Sequence, residues 1–215
     1  HHVIHRRQRQ MCIRDRLLDN WYYLLEAGIP KHTCNEIIQF GKSLDLKEGS
    51  TGGSDYLLDT EDKDHHTKNI RNSRTSWIHE PWIYNLINPI TDNSNNLGFY
   101  FNISDREPVQ FTEYKPNGHY NWHNDIMTGK KTNLLRKLSM IVQLSDPNDY
   151  EGGGLSFNLR GLDSSSEDTI IDVPKKFRTQ GSVVIFPSYL WHKVNTITDG
   201  IRYSLVMWSL GEPWK

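Results

Sequence analysis

Cysteine is scarce in this chain: two in 215 residues, Cys12 and Cys34. Two cysteines make no disulfide framework, so the expected setting is reducing and cytoplasmic, with Cys34 a small buried helix residue and not a nucleophile. Net charge is lacking as well. At −1, with 25 basic and 26 acidic residues, the balance argues against a nucleic-acid groove or a polyanionic partner. No apolar run approaches the length of a membrane span, which argues against a membrane role. Internal repeats are absent, and the length suits one domain with a proper core.

Aromatic residues are what the chain does have. Seven Trp and ten Tyr in an otherwise hydrophilic sequence suggest an aromatic-lined β structure with many exposed loops. The head, His1–Arg16, is densely basic, has no apolar signal core and does not open on Met. It is read as foreign to the fold and set aside, a basic arm being the alternative.

Asn20–Leu25 predicts a short apolar strand or turn. Pro30 leads into a helix that buries Ile37, Ile38 and Phe40 and ends near Gly41. Leu44–Arg74 is polar, Gly/Ser/Asp-rich and aperiodic, a long loop expected to be either disordered or a lid near the mouth of a site, with His65-His66 a solvated pair. After an extended approach over Ser76–Glu80, Pro81 opens a second helix with Trp82, Ile83, Leu86 and Ile87 at helical spacing through Asn88. From Leu97 the period becomes two, with Phe99, Phe101 and Ile103 on one face and short strands following to the C-terminus. Helices first and antiparallel strands after predict an α+β chain with a jelly-roll core. Residues 17–98 form the helical and loop support and residues 99–215 the core, together one domain.

Within that core, His123-Asn124-Asp125 carries the sharpest chemistry. Side chains alternate on a strand, so His123 and Asp125 are expected on one face. His192, from a distant strand, completes two imidazoles and a carboxylate, the facial arrangement that suits Fe(II) and leaves positions open. Zn(II), Mn(II) or Co(II) can bind the same set. H-x-D alone is weak, since a surface turn or a hydrogen-bonded core histidine explains most instances. Arg202 adds a permanent forked cation suited to a carboxylate, the plain alternative being a surface strand residue. The Thr198-Asp199-Gly200 turn signal before it predicts a hairpin that sets Arg202 beside the His192 strand.

The flanks decide between these readings. Phe111–Trp122 reads as a strand, a Pro/Asn/Gly turn and a second strand ending at the ligand pair, and Arg136–Ser145 as a strong apolar strand. Tyr150–Phe157, Gly181–Ser188, Trp191–Val194 and Gly200–Trp208 then follow in order. Over roughly residues 99–208 this series resembles the prolyl-4-hydroxylase-like, PKHD-type branch of the 2-oxoglutarate- and Fe(II)-dependent dioxygenases. The resemblance implies a double-stranded β-helix core with the N-terminal helices packed on it, Fe(II) on His123, Asp125 and His192, and 2-oxoglutarate held through its distal carboxylate by Arg202. It also implies hydroxylation of a peptidyl proline or another amino-acid side chain with O2, release of succinate and CO2, and ascorbate as reductant; small-molecule substrates stay open. By matching place, Tyr114 is the hydroxyl donor to the cosubstrate and Gln143 a further polar contact. Ser204 shares the face of Arg202 by period two, as does Trp208, which walls the pocket or packs the core.

Gly152-Gly153-Gly154 lacks the Lys-Ser/Thr of a phosphate loop and is expected to allow a tight bend and close approach of chain to the site. Lys175-Lys176 reads as a solvated cluster. Two rivals stay open: a jelly-roll metalloenzyme that does not use 2-oxoglutarate, and a non-catalytic carbohydrate-binding jelly roll. Mutation of Arg202 separates the first, and ligand binding after His123→Ala the second.

Overall fold

A computed structural model describes residues 21–51, 68–127, 133–160 and 169–214. The basic head, His65-His66 and residues 128–132 lie outside the described residues.

Strand β1 (Tyr23–Leu25) precedes helix α1 (Lys31–Ser43), which buries Cys34, Ile37 and Gly41 along one stripe. Ile38 and Phe40 pack at the margin of that stripe, partly buried. Gly41 is required by contact: a Cβ there would overlap the Phe111 ring. Helix α2 (Pro81–Ser94) starts where expected but continues past Asn88 and Pro89. Its buried stripe of Ile83, Ile87, Thr91 and Ser94 runs on beyond the proline, so burial outweighs the one backbone bond that Pro89 cannot make.

The alternation expected over Phe99, Phe101 and Ile103 is not a strand. Asn95–Phe99 is a π-helical turn, and the Asn95 side chain bonds both the N–H and the carbonyl of Phe101 at 2.9 and 2.8 Å. Those local bonds take the backbone groups a ladder would need. Nor is the expected 44–74 loop wholly irregular, because it contributes β2 (Lys47–Glu48), β3 (Arg71–Asn72) and the first residue of β4 (Arg74–Ile78).

The remaining strands are β5 (Asp105–Arg106), β6 (Val109–Tyr114), β7 (His119–His123), β8 (Leu135–Gln143), β9 (Tyr150–Gly152) and β10 (Leu155–Asn158). They continue with β11 (Ile170–Asp172), β12 (Val183–Pro187), β13 (Trp191–Val194), β14 (Ile197–Gly200) and β15 (Arg202–Gly211). Among the described residues an eight-stranded antiparallel sheet runs β1-β12-β8-β15-β6-β4-β2, with β5 on β15. A five-stranded sheet runs β11-β10-β13-β7-β3, and β14 pairs with β9 apart from both.

Each strand of the large sheet divides its side chains by period two. Val109, Phe111, Met140, Val142, Val183, Ile185, Leu205 and Met207 join Cys34, Ile37, Ile83 and Ile87 in one apolar cluster. The opposite face sends Tyr114, Ile141, Val184 and Phe186 into a second cluster with Leu155, Phe157 and Val194 of the smaller sheet. That second face also carries Ser139, Gln143, Arg202, Ser204 and Trp208, so the polar groups of interest are buried between the two sheets.

Two turns part their strands, and the hairpin expected at Thr198-Asp199-Gly200 is not formed. The Lys115–Gly118 turn joins β6 of the large sheet to β7 of the small one, so the two strands diverge instead of pairing. Likewise β14 pairs with β9, while β15 lies between β8 and β6. Arg202 therefore belongs to the sheet opposite the one bearing His192.

Candidate metal centre and its neighbouring cation

His123 and His192 meet because β7 and β13 pair in a register that makes them direct Cα partners. Their rings lie 4.1 Å apart between centroids. Asp125 is not on the strand as its spacing suggested: β7 stops at His123. The Asp125 N–H instead donates to the Ser188 carbonyl at 2.8 Å, which turns the carboxylate back toward the imidazoles. One ligand atom from each of the three side chains falls within 4.8 Å of the others.

Hydrogen bonds orient every member. The Nδ1 of His123 lies 2.8 Å from the Asn121 carbonyl, and that of His192 lies 2.9 Å from the Leu190 carbonyl. A carbonyl only accepts, so both Nδ1 atoms carry the proton and both Nε2 lone pairs are free. Those Nε2 atoms stand 3.8 and 3.5 Å from the Asp125 oxygens, too far for a hydrogen bond and suited to flanking a cation. Ser139 donates to Asp125 Oδ2 at 2.7 Å, and the Ser188 hydroxyl lies 3.0 Å from Ser139. Sequence reasoning missed both serines; neither spacing nor chemistry marks a buried serine as a carboxylate partner.

Burial, reinforced by His192, pulls His123 down to about 3, so its imidazole is neutral at ordinary pH. Burial pushes Asp125 up, but the two histidines, Arg136 and the Trp208 indole together hold it at about 2, ionised. A neutral imidazole beside an ionised carboxylate is the protonation state a divalent metal requires. With the Asn121 and Leu190 carbonyls orienting the imidazoles and the Ser139 hydroxyl orienting the carboxylate, the donor set fits such an ion.

Arg202 opens β15 with 1 % of its surface exposed. Among the described residues no carboxylate lies within ion-pair distance of it. Its Nε donates to Gln143 Oε1 at 3.0 Å, and its guanidinium carbon sits 5.5 Å from the centre of the Tyr114 ring. Register explains the grouping: Arg202 pairs with Tyr114, and Ser204 with both Thr112 and Gln143. A buried guanidinium facing only neutral groups is costly, and a carboxylate ligand compensates it. Gln143 touches Arg202 directly and gives its Nε2 to the Ser145 carbonyl at 3.2 Å. Gly153, at φ +65°, brings its backbone so near that a Cβ would lie 3.0 Å from Arg202 Cδ. That is the close approach the triple glycine suggested.

Trp208, six residues along the same strand face, lies near Asp125 and marks the donor-set end of the space between the sheets. The exposed Trp77 ring stands 6.1 Å from it, and the Arg136 guanidinium 3.8 Å above it.

Residues 109–210 match the 2OG-Fe(II) oxygenase superfamily. A PKHD-type hydroxylase of Thermosynechococcus vestitus is 32 % identical over 103 residues, 47 % of this chain and 42 % of that one. One of Synechococcus sp. CC9902 is 38 % identical over 89 residues, 41 % of this chain and 35 % of that one. The chain thus spans about two fifths of the length of the curated relatives it matches. A Pseudomonas putida prolyl-4-hydroxylase superposes with TM-score 0.66 at 18 % identity, covering 94 % of this chain and 99 % of that one. A Trichoplax adhaerens prolyl hydroxylase, solved with a hypoxia-inducible-factor peptide fragment, gives 0.67 at 14 %, covering 94 % and 89 %. At these identities the structural likeness shows the fold, a double-stranded β-helix.

Proposed function

We propose, from the match of residues 109–210 to the 2OG-Fe(II) oxygenase superfamily, that the chain is a 2-oxoglutarate- and Fe(II)-dependent dioxygenase acting on a peptidyl proline or another amino-acid side chain. The observation that carries this reading is the pairing, in one space between two sheets, of the His123–Asp125–His192 donor set with the carboxylate-free cation of Arg202. The likeness to prolyl hydroxylases supports proline among the side chains.

His123 and His192 would hold Fe(II) through Nε2, and Asp125 through a carboxylate oxygen. Arg202 holds the distal carboxylate of 2-oxoglutarate, with the Tyr114 and Ser204 hydroxyls beside it. Gln143 fixes the plane of the guanidinium. Phe157, Phe186 and Leu155 keep water from the chamber; the Phe186 ring stands edge-on to His192 at 4.7 Å. With Fe(II) bound, the metal supplies the redox chemistry that couples conversion of 2-oxoglutarate to succinate and CO2 with hydroxylation of a C–H bond by O2. Ascorbate serves as the reductant that maintains Fe(II). Helices α1 and α2 share the apolar cluster of the large sheet, which supports one domain that includes them.

Anaerobic addition of Fe(II) and then 2-oxoglutarate to the full chain tests the reading. A visible charge-transfer band is expected, absent in Asp125→Ala; in Arg202→Leu it is lost at equal cosubstrate while metal binding persists. Metal binding without any band in the wild-type chain would leave a metalloenzyme that does not use 2-oxoglutarate.

A further inference from the structure

One buried cation outside the donor set makes no direct contact with it. Arg71, on β3, is 7 % exposed, and among the described residues no carboxylate lies within ion-pair distance of it. Its three nitrogens are each engaged by a neutral acceptor: Nε by Ser73 Oγ at 2.8 Å, one terminal nitrogen by the Ser50 carbonyl at 3.2 Å, the other by Gln110 Oε1 at 2.8 Å. Three acceptors on a planar fork fix its plane as well as its position.

That plane lies over an aromatic ring. The Arg71 guanidinium carbon stands 4.6 Å from the Tyr120 centroid, and Arg71 and Tyr120 are Cα partners across β3 and β7. Tyr120 in turn lies against His123, centroids 3.5 Å apart and planes within 10°. Guanidinium, phenol and imidazole thus form one column, held at the far end by Arg71 and ending in a member of the donor set. Its other sides are already accounted for, since Nδ1 is bonded to Asn121 and Nε2 faces Asp125.

We propose that Arg71 is a positioning residue for His123, acting through the face of Tyr120 to fix the tilt of the imidazole and hence the direction of its Nε2 lone pair. The inference rests on the metal-centre reading and extends it to residues that touch neither metal nor cosubstrate. A charge-bearing anchor serves because a ring held only by its edges slides, whereas cation–π attraction draws the phenol against a fixed plane. The Tyr120 hydroxyl is dispensable in this scheme and its ring is not.

Co(II) titration of the full chain, followed by its ligand-field bands, provides the test. Arg71→Ala should weaken Co(II) about tenfold, the lower range for losing an outer-shell partner, and displace the bands. Tyr120→Leu should do the same, and Tyr120→Phe should stay near wild type. The Arg71→Ala/Tyr120→Leu double variant should be no weaker than Tyr120→Leu alone, because Arg71 then has nothing to act through. Arg71→Gln, which keeps an amide among the same acceptors but removes the charge, repeats the measurement if the alanine variant does not fold. Unchanged affinity and bands in the Arg71 variants would overturn the proposal, as would an Arg71 effect of full size in the Tyr120→Leu background. A wild-type chain that takes no Co(II) would overturn the metal centre itself, a failure visible before any variant is made.

Discussion

Arg202 donates its Nε–H to Gln143 Oε1 at 3.0 Å between two sheets, with both side chains essentially inaccessible to solvent. The bond uses one edge of the guanidinium and leaves its terminal nitrogens for another acceptor. Gln143 therefore aims the cation. Replacing Arg202 with Leu removes charge-assisted hydrogen bonds of about 1.5–3 kcal/mol, so 2-oxoglutarate affinity should fall roughly 10- to 100-fold. Gln143→Leu should cost less, since the charge stays and only its orientation loosens. Both variants should bind metal as wild type does, which titration with and without cosubstrate will show.

Gly153 supplies a second route to the same cation. Its φ of +65° is unfavourable for any L side chain, and a Cβ would overlap Ile197 Cδ1 and press on Arg202 Cδ. Gly153→Ala should lower stability by about 1–3 kcal/mol, read from a urea midpoint. It should also weaken 2-oxoglutarate by displacing Arg202. Gly154→Ala is the control, since a Cβ there meets only Asn195 Nδ2 at 3.4 Å and the residue has no positive φ.

The metal-free chain should lose stability as pH falls below the ordinary histidine range. His123, held at about 3 by burial, stays neutral in the folded chain while the unfolded chain binds a proton near pH 6.5. More protons bound in the unfolded state means stability falls with falling pH, by up to about 1.4 kcal/mol per unit, until His123 itself protonates near 3. Asp125, held at about 2 against an unfolded value near 4, adds a loss of the same sign at the acid end. Unfolding midpoints between pH 7 and 4 should therefore slope downward, and in His123→Gln the slope should flatten.

The donor set and Arg202 were legible because each sits inside a local pattern: H-x-D after a turn, a histidine after Ile185-Phe186-Pro187, an arginine opening the last long strand. Helix starts were legible from Pro30 and Pro81 for similar reasons. Partnerships across the fold were not. A Pro/Asn/Gly turn reads alike whether its strands pair or part, so nothing at Lys115–Gly118 reveals that β6 and β7 enter different sheets. The same holds for Arg71, 52 positions before His123 and joined to it only through the β3–β7 register. Helix α2 runs past Asn88 for a related reason, since a breaker such as Pro89 is overridden when the residues beyond it continue a buried stripe.

Ser139 is the most consequential of the residues the sequence did not mark. It sits at 0 % exposure on β8, donates to Asp125 Oδ2 at 2.7 Å and lies 3.0 Å from the Ser188 hydroxyl. Because Ser188 also supplies the carbonyl that receives the Asp125 N–H, one small network fixes both the backbone and the carboxylate of Asp125. Ser139→Ala removes one arm while leaving a side chain of nearly the same volume, so the fold should hold. Outer-shell losses of this kind weaken a metal about 10- to 100-fold, and the lower figure is expected since the backbone arm survives. Fe(II) affinity measured anaerobically on Ser139→Ala checks this, with Ser188→Ala as companion. The Ser188 variant keeps the carbonyl and the Ser139 bond and should lose less. Equal affinity in wild type and Ser139→Ala would mean that the histidines alone set the strength of the site.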